Sequence, residues 1–216
     1  MDGPPAIGAT TTGGICKRME RHYLLRRAIL EGMRNPFPVR TTGHRMPRPR
    51  LSAHRTAADM IASAVAPLGP AWHVVGWPDP RRPGEDVEFL VVGPVGLFLV
   101  TVVDHGTARA SVAGDVVQID QERPPYVPRV RKAARLAQLT LSEAVSRSVP
   151  VTAVLMFAGS GLLSVYNLPA DCLLSTEQEL HRLLRAGGTR IGPETARKLA
   201  RVATHLASSG SRAIRP

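Results

Sequence analysis

The chain has 216 residues, 44% of them apolar, which is long enough for one folded domain with extensions and a sizeable hydrophobic core. Aromatic residues make up only 4%, so this core has to consist mainly of valine, leucine and alanine. The two cysteines, Cys16 and Cys172, lie far apart without CxxC spacing, which excludes a disulfide framework and a cysteine-based zinc site and predicts a reducing, cytoplasmic location.

The formal net charge of +11 is concentrated at the N-terminus. Residues 1–56 contain 11 Lys and Arg against three acidic residues, whereas the remaining 160 residues have a net charge of only +3. Only three of the 28 basic residues are lysines, and a GC-rich coding bias explains the excess of arginine as well as phosphate binding does. The total charge is therefore weak support for a nucleic-acid partner.

Residues 1–51 are predicted to be a disordered or partly helical basic extension, with a basic helix over residues 15–33 and a proline-rich linker after it. Three interpretations of the extension stay open. The first is a basic arm that binds nucleic acid or anionic lipid, the second is a solvated linker, and the third is a segment upstream of a true start at Met46. A folded domain is predicted over residues 52–210.

The domain begins with a predicted helix over residues 57–68, which Gly69-Pro70 ends. A short strand follows over residues 72–77, and a turn-rich loop over residues 78–83. The stretch from Val87 to Asp104 then forms a predicted buried β-hairpin.

This hairpin carries no charge between Phe89 and Val103, and Gly93-Pro94 interrupts it at a point where no helix interior would tolerate the break. Its uncharged stretch is shorter than the roughly 20 residues that a membrane span needs, so no membrane span is predicted.

The second half of the domain alternates helices and strands. Gly114-Asp115 predicts a second tight hairpin, and a long helix is predicted from Pro128 to Arg147. The residues predicted to face the core from this helix are Val130, Ala134, Ala137, Leu141 and Ala144. The remaining predicted elements are strands over residues 151–157 and 171–174, a helix that a Ser175/Gln178 capping box begins and Gly187 ends, and a last helix from Pro193. The pattern predicts an α/β fold, a mixed β-sheet flanked by helices.

The order of an acidic residue, an apolar run, a Gly-Pro turn and a second apolar run, from Glu88 to Val100, resembles the core of the NERD, or nuclease-related, domain. That family is similar to the larger PD-(D/E)XK nuclease fold, and the resemblance covers about residues 52–185. It implies a restriction-endonuclease-like core. It also implies an acid on the first strand of the hairpin and Glu-x-Lys or Asp-x-Lys at the end of the second.

Most of the functional positions that the resemblance implies carry residues without the required carboxylate or amino group. Glu88 keeps the acid of the first strand, but Ala58 stands where the first helix should carry Glu. Thr101 and Val103 stand where the metal-binding acid and the lysine should be. A nuclease of this type needs two or three carboxylates around Mg²⁺, so we expect no cofactor and no cleavage, with Mg²⁺ relevant only to a residual activity.

Other acids lie near these positions. Glu85, Asp86 and Asp104 could compensate if the metal site had moved. Strand alternation, however, puts Asp104 on the opposite face from Thr101, and Asp104 is predicted to end the strand in a turn with His105-Gly106.

Arg129, Arg131, Lys132 and Arg135 crowd the first two turns of the long helix. They are candidates for nucleic-acid binding, because basic side chains at a cleft would neutralise phosphates. A solvated helix face explains them equally well. Cations at a helix N-terminus are unfavourable by up to about 1 kcal/mol each, which favours the binding interpretation slightly.

Two further patterns carry little chemistry. Gly159-Ser160-Gly161 lacks the GxSxG elbow of a hydrolase, so a triad of Ser160 with Asp104 and His105 is not favoured over a plain loop. The seven histidines show no metal-ligand spacing.

Three functions therefore follow from the sequence. The first is a degenerate nuclease-related domain that acts as a non-catalytic module for nucleic acid or another partner. The second is a metal-dependent DNA nuclease with re-sited acids. The third is a protein-interaction domain without nucleic-acid contact.

Overall fold

The computed structural model describes residues 55–77 and 88–212, with side chains as far as residue 209. The predicted extension over residues 1–51 and the predicted loop over residues 78–83 lie outside the described residues. Within residues 55–77 and 88–212, no helix is long and apolar enough to cross a membrane.

The fold is mixed α/β, as the sequence predicts. In chain order the elements are α1 (Ala57–Val65, continued by the 3-10 turn Ala66–Leu68), β1 (His73–Trp77), β2 (Glu88–Gly93), β3 (Gly96–Asp104), β4 (Ala110–Ala113), β5 (Val116–Ile119), α2 (Tyr126–Ala144), β6 (Val151–Ala158), β7 (Leu163–Asn167), β8 (Cys172–Thr176), α3 (Leu180–Arg185) and α4 (Pro193–Arg212).

The strands form two mixed sheets. The central sheet has the order β1-β2-β3-β6-β8, in which β1, β2 and β3 are antiparallel neighbours and β3, β6 and β8 are parallel. The second sheet has the order β5-β4-β7, with β4 antiparallel to β5 and parallel to β7.

The predicted central hairpin is confirmed as β2 and β3. Gly93 pairs with Gly96, so the turn has only the two residues Pro94 and Val95, and Gly96 adopts a φ of +148° that favours glycine. Nearly every residue of the two strands is buried, because helices cover both faces of the central sheet.

Each face of the central sheet has its own pair of helices. On one face α2 lies against β3 and β6, α4 lies against β1 and β2, and the two helices contact each other. Leu90, Leu99 and Leu155 point into the core under these helices. The buried residues of α1 stay outside that core, and α1 and α3 contact each other on the opposite face.

The first helix begins at a capping box that the sequence analysis did not use. The amide of Asp59 donates to Thr56 Oγ1 at 3.2 Å, and the amide of Thr56 donates to Asp59 Oδ2 at 2.9 Å. Two helix donors are thereby satisfied.

Two local predictions are wrong and one strand was missed. Ser175 lies inside β8, where its hydroxyl donates to the Thr176 carbonyl at 2.9 Å, so no Ser175/Gln178 capping box exists and α3 begins only at Leu180. Ala144 is exposed, because α2 ends there instead of continuing to Arg147. β7 lies where no element was predicted.

Candidate functional site

The candidate site lies at one end of the central sheet. Because β3 and β6 are parallel, their last residues, Asp104 and Ala158, meet at the same edge, next to the first residue of β2, Glu88. We call the ends of β3, β6 and β8, together with Glu88, the carboxyl edge. In α/β proteins, ligands bind at the carboxyl ends of parallel strands.

Glu88 and Thr101 are direct partners across β2 and β3. Strand alternation places both side chains on the face that α2 and α4 cover, and their exposed fractions are only 5% and 1%. Among the residues that the structure describes, the Thr101 hydroxyl is a buried side-chain oxygen without a hydrogen-bond partner. Glu88 and Thr101, which the resemblance places at two functional positions, are therefore adjacent.

The other two positions that the resemblance implies do not join this pair. Val103 is 2% exposed and belongs to the apolar core, where a lysine would be costly. Ala58 is exposed in the first turn of α1. That helix begins at the carboxyl edge, because Arg55 is paired with Glu177 directly after β8 at 2.5 Å, but it lies on the opposite face of the sheet from Glu88.

Among the described residues, the donor set at this edge does not fit Mg²⁺, which prefers oxygen ligands from carboxylates and phosphates. Opposite Glu88 stands the neutral hydroxyl of Thr101, at the position where the resemblance implies a second carboxylate. Over residues 55–77 and 88–212, no group of three or more His, Cys, Asp and Glu side chains is placed to hold a metal ion. Glu85 and Asp86 lie outside the described residues.

Asp104 ends its strand in the predicted turn. Its Oδ1 atom accepts a hydrogen bond from the Gly106 amide at 2.8 Å. The side chain is exposed and, by strand alternation, lies on the opposite face from Thr101 and Val103. Asp104 therefore does not complete a ligand pair with Glu88.

The loop after β6 is locked against this turn. The amides of Ser160 and Gly161 both donate to the Gly106 carbonyl, at 2.7 and 3.0 Å. The His105 Nδ1 atom lies 2.9 Å from the Ala108 carbonyl oxygen, and because a carbonyl only accepts, Nδ1 carries the proton. His105 Nδ1 therefore donates to a backbone carbonyl, and Asp104 Oδ1 accepts from a backbone amide. These two atoms do not bond to each other as they would in a hydrolase triad.

The four basic residues of α2 have different surroundings. Arg131 binds the Asp115 carboxylate and the Ala170 carbonyl, and this guanidinium lowers the pKa of Asp115. Arg129 lies over the Tyr126 ring, 5.8 Å from its centroid. Lys132 and Arg135 are exposed. The last two are therefore the members of the set that are best placed for an external phosphate.

A second set of basic residues, which was not predicted as a candidate site, lies on α4. Arg197, Lys198 and Arg201 are exposed, whereas Ala196 and Ala200 on the same helix are buried. The signal was present in the sequence, because the alanines recur at helical spacing and the cations fall between them.

Comparisons with protein-family models, with curated proteins and with solved structures found no match for this chain.

Proposed function

We propose that this chain is a nuclease-related, NERD-like domain that binds nucleic acid without cutting it. The observation that carries the proposal is the pairing of Glu88 with Thr101 across β2 and β3. The resemblance implies that two acids meet at this place, and the chain has kept one acid and replaced the other by a hydroxyl.

The chemistry of the pair argues against hydrolysis. Phosphodiester cleavage with a metal needs carboxylates that hold the ion and a group that positions the attacking water. Thr101 supplies no charge, and Val103 is an apolar core residue at the position implied for lysine. Glu88 alone would leave a divalent ion with most of its own water.

The position of α2 supports binding. This helix is followed by β6, which starts at the edge opposite to the carboxyl edge, so the first turns of α2 lie towards the carboxyl edge. Lys132 and Arg135 are exposed in the first half of the helix. Their charges would attract phosphates to the exposed side of α2.

The test uses the full chain, duplex and single-stranded DNA, and Mn²⁺ or Mg²⁺. We expect affinity to fall with rising salt, which is the signature of phosphate contacts, and the recovered DNA to be intact. The Glu88→Ala variant is the matched control for any cut. Metal-dependent cuts that this variant abolishes would establish the second function, a nuclease with re-sited acids. If neither duplex nor single-stranded DNA binds at low salt, the proposal is overturned in favour of a protein-interaction domain.

A further inference from the structure

The two helices on one face of the central sheet form an antiparallel pair. The amides of Arg190 and Ile191 donate to the Pro94 carbonyl at 2.7 and 2.9 Å, so α4 begins beside the β2–β3 turn. α2 has its first turns at the other end of the sheet and runs in the opposite direction. The helices contact each other, and both have a side that points away from the sheet.

Those outward sides carry basic residues on both helices. On α2, Val130, Ala134 and Ala137 are buried, and Lys132 and Arg135 lie on the exposed side. On α4, the buried residues are Ala196, Ala200 and Ala203, and Lys198 and Arg201 lie on the exposed side. We call Lys132, Arg135, Lys198 and Arg201 the helical basic face.

The four cations of this face form no ion pair with another described residue. Within the part of the chain that the structure describes, none of the four side chains makes a salt bridge or a side-chain hydrogen bond. The acids on the exposed sides of the two helices are Glu143, in the last turn of α2, and Glu194, which is 3.5 Å from Arg197. The positive potential of the four cations is therefore directed towards solvent.

We propose that the helical basic face is the surface that binds the phosphate backbone of DNA. Within each helix the two cations are three residues apart, about 4.5 Å along the axis, and packed helices lie about 8–10 Å apart. Two parallel rows of charge suit an extended polyanion better than a single phosphate group. This inference rests on the proposed function. It places the binding surface on the exposed sides of α2 and α4.

Exposed leucines on α2 raise the question of a lipid surface instead. Leu136 and Leu139 are 45% and 62% exposed beside the two cations of that helix. On α4, as far as its side chains are described, the exposed side has Thr204 and Ser208, whose hydroxyls bond to carbonyls of their own helix, and no large apolar side chain. A membrane-binding surface needs apolar residues that insert together with the charges, so the pair of helices favours DNA.

The experiment compares three double variants of the full chain, each of which loses two positive charges. Lys132→Gln with Arg135→Gln removes the charges of α2, and Lys198→Gln with Arg201→Gln removes those of α4. The matched control, Arg109→Gln with Arg147→Gln, changes two exposed arginines outside both helices. Duplex-DNA affinity is measured against salt for each variant, and binding to vesicles of anionic phospholipid is measured in parallel.

We expect each helical double variant to reduce the slope of log affinity against log salt by about 2, whereas the control leaves the slope unchanged. If the wild type binds DNA and the helical variants match the control, the surface is wrong while the proposed function stands. If the wild type binds no DNA, both fail. Binding to the vesicles but not to DNA would also overturn the inference.

Discussion

Arg131 in α2 and Asp115 at the tip of the β4–β5 hairpin form a two-pronged ion pair, in which one of the two hydrogen bonds, Nη2 to Oδ1, measures 2.7 Å. The Nε atom of the same guanidinium donates to the Ala170 carbonyl at 2.9 Å, just before β8. One side chain therefore ties the long helix to the second sheet and to the end strand of the central sheet. A residue that the sequence offered as a phosphate ligand is used inside the fold.

We expect Arg131→Gln to lower the free energy of unfolding by about 1–2 kcal/mol, because a half-exposed ion pair and one hydrogen bond to a carbonyl are lost. Urea unfolding measures the change. Lys132→Gln, one residue along the same helix, is the control and should change stability by less than about 0.5 kcal/mol. Equal effects of the two variants would contradict the structural role of Arg131.

The same ion pair predicts a pH dependence. Arg131 lowers the pKa of Asp115 below its ordinary value of 3.8, so Asp115 contributes stability above that value and the contribution is lost as the pH falls through the lower, folded-state pKa. The stability difference between wild type and Asp115→Asn should therefore be present at neutral pH and disappear in acid. A difference that is constant with pH would show that the carboxylate charge contributes nothing.

Replacing the buried hydroxyl at the candidate site should make the protein more stable. Thr101→Val keeps the shape of the side chain and removes an oxygen that has no hydrogen-bond partner among the described residues, so we expect a gain of about 1 kcal/mol in the free energy of unfolding. Thr152→Val in β6 is the control, since Thr152 is exposed and should change little. Destabilisation by Thr101→Val would mean that the hydroxyl has a partner in solution.

The close packing of the two turns at the carboxyl edge predicts that Gly161 tolerates no side chain. A Cβ atom there would come within 1.9 Å of the Ala108 carbonyl oxygen and 2.9 Å of His105 Nδ1. We expect Gly161→Ala to destabilise the protein by more than about 2 kcal/mol. Gly76→Ala in β1 is the matched substitution, because a Cβ atom at Gly76 meets nothing within 4 Å. Comparable thermal stability of the two variants would refute the packing.

The thiol of Cys172 should be unreactive in the folded protein. Its side chain is buried, and burial raises its pKa to about 12, so very little thiolate exists at pH 8. A Cys16→Ser variant leaves Cys172 as the remaining cysteine, and we expect a thiol reagent to label it only as fast as the protein opens. Immediate labelling under native conditions would place the thiol at the surface, and labelling in urea provides the positive control.

The long, strongly patterned elements could be predicted from the sequence. The uncharged run around Gly93-Pro94 predicts the central hairpin, and the apolar spacing from Val130 to Leu141 predicts the buried side of α2; both are confirmed. The strand over Leu163–Asn167 was missed although Leu163 and Val165 alternate with Ser164 and Tyr166, because five residues next to a Gly-Ser-Gly loop give a weak signal.

The candidate site was predictable only in part. The sequence shows that Glu88 and Thr101 belong to neighbouring strands, but their direct pairing follows from the register that a two-residue turn imposes. The ion pair of Arg131 with Asp115 could not be predicted, because it joins the long helix to the tip of the β4–β5 hairpin and depends on tertiary packing. The prediction of a Ser175/Gln178 capping box was wrong because β8 continues through Ser175, so this residue belongs to the sheet.

The parallel pairing of β3 with β6 also bears on how the chain assembles. β3 pairs with β2 across a two-residue turn. On its other side, Leu97 pairs with Val151, which lies about 50 residues further along the chain, beyond the second hairpin and α2. Such a distant contact closes slowly compared with the local one. Until this pairing forms, the long apolar strand β3 has an open hydrogen-bonding edge, and an edge of that kind can pair with another chain. We therefore expect aggregation during refolding to depend on how fast α2 brings β6 into place. Substitutions that weaken α2 should lower the refolding yield even where they change the free energy of unfolding little.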